Sequence, residues 1–198
     1  MDDSDFVVVC IDQPYSHRVQ DNEIMEKSNL NGSVPHLVHN LLGELSSGKP
    51  DARISWVAPS VHPDDFDPGI VDKKHERIIK SGNGHYILKR VRMREEDFMD
   101  MKKFLNGFLW PILHMINQTS ELFKGYVDPN LLQYWANYKN SNVALAKSAI
   151  EKLKNSSNPL LQVHDFELFL VADMVREKIS GLVSLYVHHI TWPEWSDK

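Results

Sequence analysis

The sequence predicts an α/β fold: a Rossmann-like, mostly parallel sheet with flanking helices. Three observations carry that prediction. Phe6–Ile11 is an unbroken apolar run, the pattern of a strand buried on both faces. Strand-like and helix-like periods then alternate along the chain, as they do where parallel strands are joined by helical crossovers. Finally, strand, helix and strand follow in quick succession between Leu160 and Pro193. Asp165 ends the first of these strands and His188-His189 end the second. Ligands in open α/β sheets bind outside the carboxyl ends of the strands, so these residues stand where chemistry is expected.

The remaining elements can be justified in order. Asp12–Ser33 is polar, shows no clear period and reads as a long loop, which in a compact domain is functional or mobile. Val34–Leu45 sets Leu37, Val38, Leu41, Leu42 and Leu45 at helical spacing. Ser46–Asp51, with Gly48 and Pro50, separates that helix from a second strand at Arg53–Ala58. Pro59–Asp72 is rich in proline and aspartate and reads as a surface loop. Arg77–Lys80 and His85–Met93 bracket Ser81-Gly82-Asn83-Gly84, a hairpin pattern. Glu95–Ile116 is helical, with Pro111 expected to kink or divide it. Asn130–Tyr138 and Asn142–Leu153 read as two further helices, closed by Ser156-Ser157-Asn158-Pro159. Leu160–Val163, Phe166–Glu177 and Leu182–Val187 complete the strand-helix-strand unit. Neither repeats nor a linker interrupt the chain, so residues 1–198 are expected to form one domain.

Composition narrows the function. The formal net charge of −5, with both signs mixed along the chain, speaks against nucleic acid or an anionic membrane as partner. Cys10 is the only cysteine and lies in an apolar run, so it reads as a small buried strand residue in a reducing compartment. The start MDDSD lacks the basic character of a signal peptide, and no apolar run approaches the ~20 residues of a membrane span. A cytoplasmic protein is the expectation.

Each candidate residue has two readings. Asp165 is either a helix cap, accepting from orphan backbone N–H groups, or a carboxylate that holds a substrate hydroxyl. His188 and His189, if the strand runs through them, point to opposite faces, so only one can serve a given site. His36 and His39 read as surface residues of a helix. Trp56, Trp110 and Trp192 are either core residues or walls of a carbohydrate pocket, where an aromatic face meets the apolar face of a sugar ring. Gly32-Ser33, ahead of a helix, is a weak close-approach or anion signal. His164, Asp165 and His189 could form a metal centre only if they converged, which would make the protein a metal-dependent hydrolase.

Val163-His164-Asp165-Phe166-Glu167-Leu168 resembles the strand-turn-helix of the trehalose-6-phosphate synthase family of retaining glycosyltransferases. Leu185 to Pro193 resembles the strand that follows it there, with His189 in the place of the family's active-site histidine and His188 as the preceding residue. Asn106-Gly107-Phe108-Leu109-Trp110-Pro111 and Trp135-Ala136-Asn137-Tyr138 resemble two further motifs. Gly32-Ser33 falls where the family has a Gly-Gly pair, and Ile54-Ser55-Trp56 where it has a strand ending in Trp. The resemblance runs from Phe6 onward, but over less than half of a complete member. Two positions depart from it. The run Val9-Cys10-Ile11-Asp12 lacks the arginine that grips the acceptor phosphate, for which Arg18 is a candidate substitute, and Met101 replaces a tyrosine that helps hold it. These departures point to a divergent member, such as a relative of the pseudo-glycosyltransferase that makes validoxylamine phosphate.

The resemblance implies one half of a GT-B architecture: an N-terminal acceptor-binding domain, with the C-terminal nucleotide-sugar domain absent. It implies transfer of glucose, with retention, from a nucleotide sugar such as UDP-glucose to a sugar or sugar-phosphate acceptor in trehalose-type biosynthesis. No cofactor or metal is implied. His189 would contact the donor sugar, Asp165 would position the acceptor, and Trp56, Trp110 and Gly32 would line the substrate site. The chain alone would then be inactive until a second domain, in the same or a separate chain, joined it. The alternative is a non-catalytic sugar-binding or regulatory module.

Overall fold

The computed structural model describes residues 4–21, 23–49, 51–114 and 128–190. Its elements in chain order are β1 (Ser4–Val9), β2 (Tyr15–Gln20), β3 (Glu23–Ser28), α1 (Ser33–Gly48), β4 (Arg53–Ser60), β5 (Glu76–Ser81), β6 (Gly84–Arg92), α2 (Glu95–Phe104), α3 (Trp110–Leu113), α4 (Leu131–Leu153), β7 (Asn158–His164), α5 (Val171–Arg176) and β8 (Val183–Val187). Among the described residues, six strands form one sheet in the order β5-β6-β4-β1-β7-β8. Only β5, paired with β6, runs antiparallel; the other neighbours are parallel.

The apolar run of β1 is continuous because both faces of the sheet are covered there. Val7 and Val9 face α4 and α5, meeting Leu145, Ala149, Val171 and Val175. Val8 and Cys10, offset by one residue, face α1 and meet Val38, Leu42 and Trp56. A third cluster, around Met101, Phe104, Tyr138 and Phe166, caps the carboxyl ends of β1 and β7.

Several elements differ from the sequence reading, each for a physical reason. Asp12–Ser33 is not a plain loop: β2 and β3 form a two-stranded antiparallel hairpin. Its strands carry no apolar face, because β3 is exposed throughout and His17 alone of β2 is buried. Pro59–Asp72 is not wholly on the surface, since Asp65 and Phe66 are buried in a short 3-10 turn. The helix begun by Glu95 is divided by a wide, π-helical turn at Leu105–Leu109. Pro111 then falls in the first turn of α3, where its missing N–H costs nothing. The two helices expected over 130–153 are one, α4. Of the polar stretch between them Lys139 and Asn140 face outward while Ser141 is buried, and the buried Asn142 uses its side chain to tie α4 to the turn after β7. Phe166–Glu177 is a 3-10 turn followed by the short α5.

Candidate active site at the strand tips

An open cleft of about 540 Å³ lies at the carboxyl ends of β1 and β4, where an open α/β sheet is expected to bind ligand. Ile11, Asp12 and Gln13 follow β1 into it, Pro59 to His62 follow β4, and Asn29, Gly32, Val34 and Pro35 come from the start of α1. Gly32 is the N-cap of α1 and accepts from the His36 amide. Of the residues marked out by the sequence, Gly32 is the one that lines this cleft.

One wall is built on a buried polar hub that the sequence does not advertise. Asp65 is fully buried beside the cleft. Its carboxylate accepts from the His17 amide at 2.8 Å, from Gln13 Nε2 at 2.8 Å and from Ser60 Oγ at 2.6 Å, and it meets the His17 ring at 3.0 Å. Arg90, also fully buried, donates to Gln13 Oε1, the Asp65 carbonyl and the Tyr15 carbonyl. Burial alone would raise the Asp65 pKa, but its bonds to His17, Ser60 and Gln13 and the nearby guanidinium hold it far below the usual carboxylate range. The hub fixes the β2–β3 hairpin against the sheet.

The second half of the site is the tip of β7 and β8. Asp165 has φ 66° and ψ 169°, a conformation costly for any residue but glycine. Its amide donates to the Val187 carbonyl at 2.8 Å, and its carboxylate accepts from the Phe166 amide at 3.1 Å. It therefore caps a turn and stays at the strand tip, so the cap and site readings are compatible. The second strand ends at Val187, so the two histidines do not alternate across a sheet. His188 meets Asp165 at 3.4 Å, while His189, exposed, bonds through Nε2 to His164 Nδ1 at 2.8 Å. His164 is buried and its Nε2 bonds to Gln162 at 2.7 Å. Burial pushes its pKa down to about 4, with the neighbouring His189 adding to the shift. Both of its nitrogens are committed, so His164, Asp165 and His189 do not converge as metal ligands in this arrangement.

The two parts adjoin, since β1 pairs with β7. The charges of Asp12, at the cleft, and of Asp165 and Glu167, after β7, all act on Cys10. Burial pushes the Cys10 thiol up to about 12, which makes it a buried core residue and not a nucleophile. Glu167, which sequence reasoning passed over, is pushed up to about 7 by burial, with Asp165 and Asp12 adding to the effect. Nothing in its spacing announces this; it follows from the fold of the turn.

Three expectations need correction. Trp56 is not at a strand end and walls no pocket: β4 continues to Ser60, and Trp56 packs fully buried against Tyr86 with ring centroids 5.9 Å apart. Trp110 is part-exposed at the start of α3, stacked on His114 at 4.1 Å, and is not among the residues lining the cleft. His39 is not a surface residue; it is buried and bonds the Tyr86 hydroxyl at 2.8 Å. Arg18 lies on the exposed part of β2, away from the cleft lining, and Met101 is fully buried. Trp192 falls outside the described residues.

Known proteins share this design. A 100 kDa subunit from Schizosaccharomyces pombe, named as an α,α-trehalose-phosphate synthase (UDP-forming), is 35% identical over 86 residues, which is 43% of this chain and 9% of that protein. The N-terminal domain of Candida albicans trehalose-6-phosphate phosphatase superposes with a TM-score of 0.62 at 16% identity, covering 98% of this chain and 35% of that one. A Burkholderia xenovorans α,α-trehalose-phosphate synthase solved with glucose-6-phosphate gives 0.59 at 16% identity, covering 96% of this chain and 34% of the other. The chain thus spans about a third of the solved relatives it matches. Residues 4–196 match the model for glycosyltransferase family 20, and the chain belongs to that family.

Proposed function

We propose that this chain is the acceptor-side half of a retaining glycosyltransferase of the trehalose-phosphate synthase type. The observation that carries the reading is the cleft at the tips of β1 and β4, set beside the Asp165 and His189 tip of β7 and β8. The cleft takes a sugar acceptor. Asp165 holds an acceptor hydroxyl, and His189 contacts the donor sugar. The acceptor oxygen attacks the anomeric carbon while the nucleoside diphosphate leaves from the same face, its phosphate receiving the proton. In that scheme the protein contributes positioning more than a dedicated base. The names of relatives supply the chemistry by analogy: one is UDP-forming and another was solved with glucose-6-phosphate. UDP-glucose is accordingly the proposed donor, with no cofactor. Its site belongs to a second domain, supplied by further polypeptide or by a separate chain. A cytoplasmic setting fits the single, buried thiol.

The polar lining favours hydroxyls over phosphate. Among the described residues, the cleft carries Asp12 and Asp65 and neither lysine nor arginine. An acceptor phosphate would therefore need its cation from elsewhere. The same observation, together with the fold shared with a phosphatase N-terminal domain, supports the second reading, a non-catalytic sugar-binding module.

Calorimetric titration of the chain with glucose and with glucose-6-phosphate tests the acceptor role. Saturable binding of at least one, weakened about tenfold or more in Asp165→Ala, is the expected result. No binding of either at millimolar concentration by folded protein overturns it. Transfer from UDP-glucose after addition of the complementary domain separates the enzyme from the binding module.

A further inference from the structure

The buried side chains behind His189 form a directed hydrogen-bond chain. Gln162 and His164 alternate with core residues along β7 and share one face of the sheet, while Leu161 and Val163 point into the core on the other. Both are buried, and Gln162 Nε2 lies 2.7 Å from His164 Nε2. The amide nitrogen can only donate, so His164 Nε2 accepts and carries no proton. A neutral imidazole keeps one proton, which must then sit on Nδ1. That proton points at His189 Nε2, 2.8 Å away. The two rings are nearly coplanar, at 14°, with centroids 5.1 Å apart. That separation is the hydrogen-bond length plus two ring radii, so the rings meet edge to edge through this bond and not by stacking.

Since His189 Nε2 accepts, the His189 proton resides on Nδ1, the nitrogen turned away from His164. We infer that Gln162 and His164 are positioning residues that set His189 as an Nδ1–H hydrogen-bond donor, aimed at a sugar hydroxyl oxygen and unsuited to act as a base. This rests on the proposed contact between His189 and the donor sugar. The charged neighbour on this tip is Asp165, whose carboxylate faces His188, so the relay does not depend on a carboxylate to orient the ring.

Imidazole nitrogen NMR on the intact chain reads the tautomers directly. The expected wild-type spectrum has His189 protonated at Nδ1 and His164 protonated at Nδ1. An amide turned the other way would reverse both bonds, so His189 protonated at Nε2 in the wild type overturns the assignment. Gln162→Glu replaces the donor by an acceptor and should move both histidines to their Nε2–H forms, while Gln162→Leu should leave His189 a mixture. A residue with only a packing role would lower the melting temperature without changing the tautomer, and that result also overturns the inference. UDP-glucose titrated into the chain reconstituted with the complementary domain provides the second readout. Affinity should fall about tenfold in Gln162→Glu and recover in Gln162→Asn only if the shorter amide still reaches His164 by the NMR criterion. A switched tautomer with unchanged affinity leaves the relay standing and removes the donor-sugar role of His189.

Discussion

Glu167 shows how a residue can be chemically distinctive without any sequence signal. Its carboxyl is pushed up to about 7 by burial, from an ordinary value of 4.5, and one of its oxygens is buried without a hydrogen-bond partner. The unfolded chain releases this proton at lower pH than the folded protein does. Between about pH 4.5 and 7 the native state therefore binds more protons, and the stability contribution present below that window is lost as pH rises through it. Glu167→Gln should accordingly stabilise the protein by about 1–2 kcal/mol at pH 8 and leave it unchanged at pH 4. Denaturant unfolding at the two pH values checks this; an equal shift at both would show that charge is not the cause. The strand-tip positions of Asp165 and His189, by contrast, were legible from the sequence, because they follow strands whose apolar pattern is plain. Asp65 and His17 were not, because the hub joins residues far apart in sequence: His17 and Asp65 across 48 residues, Gln13 and Asp65 across 52, and Gln13 and Arg90 across 77.

At the level of elements, strands and helices with a two-sided or one-sided apolar pattern were readable, and those without one were not. β1, β4, β6 and β7 announce themselves through buried residues on both faces. The β2–β3 hairpin is exposed along most of its length, and what holds it is polar. Asn142 reads as the start of a second helix, yet inside α4 its side-chain amide donates to the Tyr138 and Glu167 carbonyls and so serves the fold. The contact between α1 and the β5–β6 hairpin was also invisible, since it depends on glycines. A Cβ on Gly84 would come within 2.0 Å of the Gly43 carbonyl oxygen, and one on Gly43 within 2.6 Å of the Ser81 carbonyl oxygen. Backbone meets backbone there, and no rotamer change can relieve the clash. Gly84→Ala is expected to cost about 2–3 kcal/mol, or roughly 5–10 °C in melting temperature. Differential scanning calorimetry measures it, and a loss under 1 °C would mean that α1 shifts freely on the hairpin.

At the scale of the whole molecule, β8 stands at an edge of the sheet among the described residues. Val183 and Leu185, two residues apart and so on one face, are 64% and 57% exposed, and Leu160 lies beside Val183 in register. An exposed edge strand with an apolar face invites pairing between copies. The chain should therefore self-associate with rising concentration, and Val183→Lys should shift it toward monomer in sedimentation equilibrium. Identical weight-average masses for the two proteins would show that the edge is covered by other means. Global architecture was the most legible scale of all, because alternating strands and helices admit few topologies. The hub beneath the cleft carries a different kind of consequence, one of timing. Arg90 lies against the His17 ring across 73 residues of sequence and Arg77 reaches the same ring across 60. During synthesis from the N-terminus, the hairpin leaves the ribosome long before either guanidinium exists. One wall of the cleft must therefore wait, polar and unsupported, until β6 is made.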